Sequence, residues 1–363
     1  MSSIPCENNT AYTRQELIRE CSQGVSFTES LLLRLHDCTL EIFCSSEELR
    51  SELHRYFLPL LSSSNKGAQI RIHAIDAVTP SLNCKFSKRK LEPGKTKIKE
   101  EWAALHGGRV VRKITTGMMM IFGHDENLVI GPCQDNPNQV INFINNRFIE
   151  YKLNKGALLG HAAAVYQNAT GIAMAGFSGM GKSTLALHLM NTGADFVSND
   201  RLLIEEKGEH LVMSGVAKWP RINPGTALNN PSLSGVMSAE EKERFSQLPA
   251  AELWNLEYKY DVMIEQCFGR DRFQLHTKLD RLVLLNWRFG AGSMQAEEVD
   301  LGKRKELLQA IMKETGLFYL PAKGCLKNQP ESRYLELLSR CRVLELSGGA
   351  DFEEATRTIL KWL

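Results

Sequence analysis

The chain has 363 residues, 43% of them apolar and 24% charged, and its 44 basic residues against 42 acidic ones leave a net charge of +2. That length exceeds what one hydrophobic core usually serves, so two domains are expected; the near-neutral balance excludes the basic footprint of a dedicated nucleic-acid binder. Nine cysteines, with no CxxC pair and no Cys/His cluster at zinc spacing, argue against a metal finger or a disulfide framework and for a reducing cytoplasm. The opening segment MSSIPCENNTAYTRQE lacks the charged start and apolar core of a signal peptide. No window approaches the roughly 18 uninterrupted apolar residues of a membrane span, so a soluble, cytoplasmic protein without a membrane partner is expected.

In chain order, LRLHDCTLEIFC reads as a strand and SEELRSELHRYFLPLL as a helix with Ser45 or Ser46 as its N-cap. A second strand is expected over Gln69–Ile75. The stretch from Lys85 to Lys99, with Pro93 and Gly94, reads as an exposed basic loop, a solvated surface rather than a phosphate patch. Arg109–Ile114 and Met118–Phe122 read as a hairpin turning at Thr115, Thr116 and Gly117. QVINFINNRFIEYKL has helical spacing and is expected to cross between domains, with the boundary at GPCQDNPN. An N-terminal α+β domain over 1–135 and a second domain over 136–363 follow from this reading.

The chemistry concentrates after residue 170. GIAMA is a buried-type strand, followed at once by GFSGMGKS and then by helical LALHLMNTG. Strand, glycine-rich loop and helix in that order make a phosphate cradle: Gly176, Gly179 and Gly181 let the backbone turn tightly, and the loop amides, including those of Ser178 and Met180, face a polyphosphate with the helix's positive end behind them. Lys182 is expected to reach the β- and γ-phosphates, and Ser183 to give its hydroxyl to a bridging Mg²⁺, with Thr184 beside it. The fixed positions of this pattern coincide by chance in only about one or two per cent of chains of this length. ATP is the expected nucleotide, with GTP left open, and Mg²⁺ the expected metal. The nearest strand-end acid that could hold that metal is Asp200, in ADFVSNDRLLI.

From His161 to about Ile204 the sequence resembles the catalytic domain of HPr kinase/phosphorylase, whose fold is shared with phosphoenolpyruvate carboxykinases. In that family a histidine precedes the loop, and a glycine and an apolar strand ending in two aspartates follow its helix. Here His161 stands 15 positions before Gly176 (176 − 161), Gly193 follows the helix, and FVSND ends the strand. Asn199 occupies the place of the leading aspartate, the family's proton acceptor, and an amide cannot act as a general base. The EIRG-type segment and the proline-glycine-arginine substrate motif of HPr kinases are replaced by KWPRINPGT (218–226) and ELWNLEYKYDV (252–262). A resemblance over most of the chain is to the group called HprK-related kinase B, through NQVINFIN, HAAAV, GFSGMGKST, FVSNDR, KWPRINPGT, KYDV and LVLLNW. SNDR is the usual form there, so Asn199 would be a family trait that orients substrate or water.

The resemblance implies an α/β P-loop kinase domain of the HPr-kinase/phosphoenolpyruvate-carboxykinase type. It also implies NTP-dependent transfer to a hydroxyl of an unspecified protein or small molecule, and a homo-oligomer. His161 and Asn199 would face the acceptor, and Asp200 would hold metal with Ser183. His161 can equally be read as a core residue at a strand start. Lys218 and Arg221 are candidates for substrate or phosphate contacts, against an ordinary surface turn. Glu252, Glu257 and Asp261 are candidates for a replacement base, against the wet face of a helix. Arg281–Trp287 reads as a buried strand with Trp287 in the core, and KRKELLQAIMKETG and DFEEATRTILKWL as helices packed on the sheet. A non-catalytic nucleotide-sensing module and a simple NTPase are the rival functions.

Overall fold

The computed structural model describes residues 13–63, 67–89, 97–256 and 258–363. The chain forms two compact units, one running to Asn154 and including Gly316–Lys327, the other comprising Lys155–Thr315 and Asn328–Leu363.

The first unit contains α1 (Arg14–Ser22), β1 (Leu31–Leu35), β2 (Cys38–Cys44), α2 (Glu47–Tyr56), β3 (Ile70–Asp76), β4 (Ser87–Lys88), β5 (Glu100–Leu105), β6 (Gly108–Lys113), β7 (Met119–Phe122), β8 (Glu126–Gly131) and α3 (Pro137–Asn154). Its strands make one sheet in the order β1-β2-β3-β8-β7-β6-β5-β4. The run expected as a single strand is a hairpin, because His36, at φ 54°, turns the chain between Leu35 and Cys38. Ser46 caps α2 by accepting from the amide of Leu49. The β6–β7 hairpin pairs Arg109 with Phe122 and Arg112 with Met119. Part of the expected basic loop is an edge strand: Ser87 and Lys88 pair with Trp102 and Glu101, and Arg89 is ion-paired to Glu100 at 2.8 Å. The remainder of that loop, residues 90–96, lies outside the described residues.

The helix expected to cross between domains belongs wholly to the first unit, so the division falls after Asn154 and not at residue 135. α3 is buried along Val140, Ile141, Phe143, Ile144, Phe148 and Leu153. Its Glu150 accepts from the Leu320 amide at 2.7 Å, and Asn154 bonds both Leu320 and Ala322, which ties 316–327 onto the same helix. A helix covered on so many sides is a core element, not a linker.

The second unit carries, in order, β9 (Leu158–Gly160), β10 (Ala162–Gln167), β11 (Thr170–Gly176), α4 (Lys182–Asn191), β12 (Asp195–Ser198), β13 (Leu202–Lys207), β14 (His210–Gly215), β15 (Arg221–Ile222), α5 (Pro224–Leu228), α6 (Ala239–Ser246), α7 (Ala250–Asn255), β16 (Tyr260–Asp261), α8 (Ile264–Phe268), β17 (His276–Lys278), β18 (Arg281–Arg288), β19 (Met294–Glu298), α9 (Glu331–Leu338), β20 (Arg342–Gly349) and α10 (Phe352–Trp362). A six-stranded sheet runs β12-β10-β11-β18-β20-β19, with β11, β18 and β20 parallel at its centre. A four-stranded antiparallel sheet runs β17-β14-β13-β9.

The inner strands β10, β11 and β18 of the six-stranded sheet are covered on both faces, which is why they read as nearly unbroken apolar runs. Ala163, Val165, Ile172 and Met174 face α4 and α10, while Ala162, Ala164, Ala173 and Ala175 face the four-stranded sheet. The segment KRKELLQAIMKETG forms only a short 3₁₀ turn over Lys305–Ala310 in place of the expected helix. Leu307, Leu308, Ala310 and Ile311 are buried there, so packing on the sheet has overridden helical spacing. The C-terminal helix is as expected: α10 is capped by Asp351 and packs on α4.

Candidate functional site

The glycine-rich loop connects the end of central strand β11 to the start of α4, at the carboxyl edge of the parallel strands, where open α/β sheets place ligands. Two glycines set its path. Gly179 and Gly181 have φ of 83° and 86°, a region open to glycine at little cost, and Gly181 caps α4 in the left-handed conformation. A third, Gly176, allows close strand approach: a Cβ there would lie 2.9 Å from that of Leu285 on β18. Phe177, Ser178 and Gly179 are exposed, whereas Lys182 is buried at the first position of the helix. Ser183 and Thr184 follow on its first turn, both half-buried.

The Lys182 ammonium donates back into the loop, to the carbonyls of Gly176 at 2.7 Å and Phe177 at 3.2 Å. Burial pushes it down to about 8, with Lys313 adding to that and the charge of Asp200 opposing it.

His161 and Asp200 meet because each sits where the chain passes between the two sheets, His161 between β9 and β10 and Asp200 between β12 and β13. His161 Nε2 lies 3.1 Å from Asp200 Oδ1, and Arg201 Nε lies 3.1 Å from Oδ2. Burial alone would raise the Asp200 carboxyl. The hydrogen bond from His161, together with the charges of Arg201 and Lys218, outweighs that and holds it well below the usual carboxylate range. The field of Asp200 reaches both Lys182 and Lys218, so these groups form one electrostatic cluster. Lys218 is lowered chiefly by burial, with Arg201 and Arg221 adding to the effect and Asp200 opposing it.

Asn199 lies beside Asp200, and its side-chain oxygen is buried with no hydrogen-bond partner among the described residues. A buried acceptor in that condition costs about 1–3 kcal/mol, which a donor from a bound molecule would relieve. Together with the open glycine cradle at Gly179, where an added Cβ would meet nothing within 4 Å, this fits a bound polar ligand. The donor set also suits Mg²⁺, since the Ser183 hydroxyl is neutral and each Asp200 oxygen keeps a second lone pair beyond its present partner. Among the described residues no group of three or more His, Cys, Asp or Glu side chains could hold a metal alone, so phosphate oxygens and water would complete the shell.

A cavity of about 490 Å³ opens beside the loop, lined both by Lys182, Ser183 and Thr184 and by the rings of Trp254, Phe289 and Phe352. Its lining includes Arg221 but not His161, Asn199, Asp200 or Lys218. Arg221 is ion-paired to Asp261 at 3.2 Å across the β15–β16 pair, which engages one of the carboxylates considered as a replacement base. Glu252 is exposed on α7, and Glu257 lies outside the described residues. The segment holding these acids is thus a short helix and a two-residue strand, not a single amphipathic helix.

Three supporting residues escape notice in the sequence. Trp287, buried in the core as expected, also donates its indole N–H to the Met180 carbonyl of the loop at 2.8 Å. Thr184 shares a 2.8 Å hydroxyl bond with Thr226, linking α4 to α5. Phe352 packs so closely on the loop that a Cβ on Gly181 would sit 2.5 Å from its ring. A glycine-loop pattern carries no information about partners 42 or 107 positions away.

No sequence profile of a known protein family matches the chain, and no curated protein matches it. Among solved structures, the Hpr(Ser) kinase/phosphatase from Coxiella burnetii is similar to it at 10% identity and a TM-score of 0.30, over 56% of this chain and 88% of that one. No helix among the described residues is long and apolar enough to cross a membrane, and no disulfide joins the cysteines there.

Proposed function

We propose that this protein is an NTP-dependent phosphotransferase that moves the γ-phosphoryl group of ATP, or of GTP as the alternative, to a hydroxyl on a protein or small-molecule acceptor. The observation that carries the reading is the joint presence of a left-handed glycine cradle, Lys182 at the mouth of its helix, and an ionised Asp200 whose field reaches that lysine. Loop amides and the N-terminal end of α4 would bind the phosphates, and Lys182 would neutralise charge on the transferring group. Ser183 and Asp200 would hold Mg²⁺, which when bound spreads the charge of the β- and γ-phosphate oxygens.

Proton removal is the step that Asn199 cannot perform. With Nε2 donating to Asp200, His161 keeps the Nδ1 lone pair as a proton acceptor, a base oriented by a neighbouring carboxylate. Asn199 would orient the acceptor hydroxyl through its unpaired oxygen, and Lys218 would offer charge to an anionic acceptor. Arg221, on the cavity side of the loop, would contact phosphate or substrate. On the resemblance alone, a cytoplasmic homo-oligomer is the proposed setting.

A second reading, a nucleotide-sensing module without transfer, draws on the same Asn199. Incubating wild type and Lys182→Ala with γ-phosphate-labelled ATP, Mg²⁺ and a lysate split into protein and small-molecule pools separates the two. Label entering one pool with wild type only supports transfer and identifies the acceptor class. Tight ATP binding with no pool labelled favours sensing, and free phosphate released without an acceptor favours an NTPase.

A further inference from the structure

The cavity beside the phosphate loop has a chemistry that phosphate binding leaves unused. On α4, Thr184 and His188 stand one turn apart on the same face, and both line it. From His188 a continuous series of rings leads away from the helix. His188 stacks on Phe352 at 5.7 Å and 19°, Phe352 on Trp254 at 6.1 Å and 27°, and Trp254 on Phe289 at 4.9 Å and 29°. The series ends at Phe289, which is 46% exposed and leaves the end of the stack open. Asn223 also lines the cavity, and its buried side-chain oxygen has no partner among the described residues.

The geometry points to the end of this ring series as the nucleoside subsite: a planar base stacks on Phe289, whose other side rests on Trp254, and Asn223 hydrogen-bonds the base edge or the ribose. The assignment rests on the phosphate-loop reading above, because the same cavity is lined by Lys182, Ser183 and Thr184, so phosphates in the loop leave the rest of the nucleotide facing the rings. A cavity of about 490 Å³ falls within the range of ordinary small-molecule sites. The ligand class is a nucleotide whose base adds a further ring to the stack. An acceptor substrate is the competing occupant, disfavoured because His161, Asn199 and Asp200 do not line this cavity.

Calorimetry with Mg·ATP and with Mg·inorganic triphosphate, on wild type, Phe289→Ala, Phe289→Tyr and Lys182→Ala, tests the assignment. Phe289→Ala is expected to weaken ATP about ten- to a hundredfold, the range for loss of one base–aromatic stack, while leaving triphosphate binding unchanged. Phe289→Tyr should retain ATP affinity, and ATP should change tryptophan emission more than triphosphate does in wild type, with that difference lost in Trp254→Phe. The assignment is overturned if Phe289→Ala binds ATP as wild type does, or loses ATP and triphosphate equally. Failure of the underlying loop reading looks different: wild type would bind neither ligand, or Lys182→Ala would bind both undiminished.

Discussion

The indole of Trp287, at the end of a central strand, donates to the carbonyl of Met180 in the glycine-rich loop, 107 residues earlier in sequence, at 2.8 Å. The loop's shape is therefore fixed by the sheet as well as by its own glycines. Trp287→Phe keeps most of the packing but strands a carbonyl. It should cost about 1–2 kcal/mol in denaturant unfolding and weaken ATP several-fold, whereas an unchanged ATP affinity would mean that the bond does not shape the loop.

Gly181 and Gly179 share nearly the same φ but differ in surroundings, the first packed under Phe352 and the second open. Gly179→Ala should cost about 1–2 kcal/mol, the left-handed penalty alone. Gly181→Ala should cost more and abolish ATP binding, and adding Phe352→Ala should recover part of the lost stability. Strict additivity in that double-mutant cycle would contradict the contact.

Lys182 sets a pH dependence. Its pKa of about 8 lies below that of a free lysine, and phosphate contact favours the ammonium, so the pKa must rise when nucleotide binds. Affinity for Mg·ATP should therefore be flat below pH 8 and fall as pH rises through it, by up to about tenfold per unit, since binding then takes up a proton. Lys182→Arg, always charged, should flatten the alkaline limb. A wild-type affinity constant from pH 7 to 10 would show that Lys182 does not meet the phosphates.

Asp200 raises the pKa of Lys182, so Asp200→Asn should move that alkaline limb to lower pH as well as reduce transfer at least a hundredfold. His161→Asn should lower transfer with little change in ATP affinity, because the role proposed for it is confined to the acceptor's proton. Equal losses in binding and turnover for His161→Asn would place it with the nucleotide instead.

Much of this site was legible in the sequence because it is local. GIAMA, the glycine loop and the helix after it lie within about twenty residues, and each carries its own pattern: buried strand, turn-forming glycines, apolar helix. The His161–Asp200 contact could be anticipated only through family resemblance, since it depends on two crossings between sheets that no periodicity encodes. The ring series was illegible for a related reason. No local pattern links His188, Trp254, Phe289 and Phe352, and only the fold of the second unit assembles them. The first unit misled in another way: the breaker run GPCQDNPN looked like a boundary, but it is a tight turn into a helix that the same unit buries.

The most direct test of the central claim is equilibrium binding of Mg·ATP to wild type and to Lys182→Ala, with unfolding measured in parallel to show that both are folded. Saturable one-site binding by wild type, lost by about a hundredfold or more in the folded variant, is the predicted result. Equal affinity in the two proteins, or no binding by wild type, would contradict it and remove the basis for phosphoryl transfer at this loop.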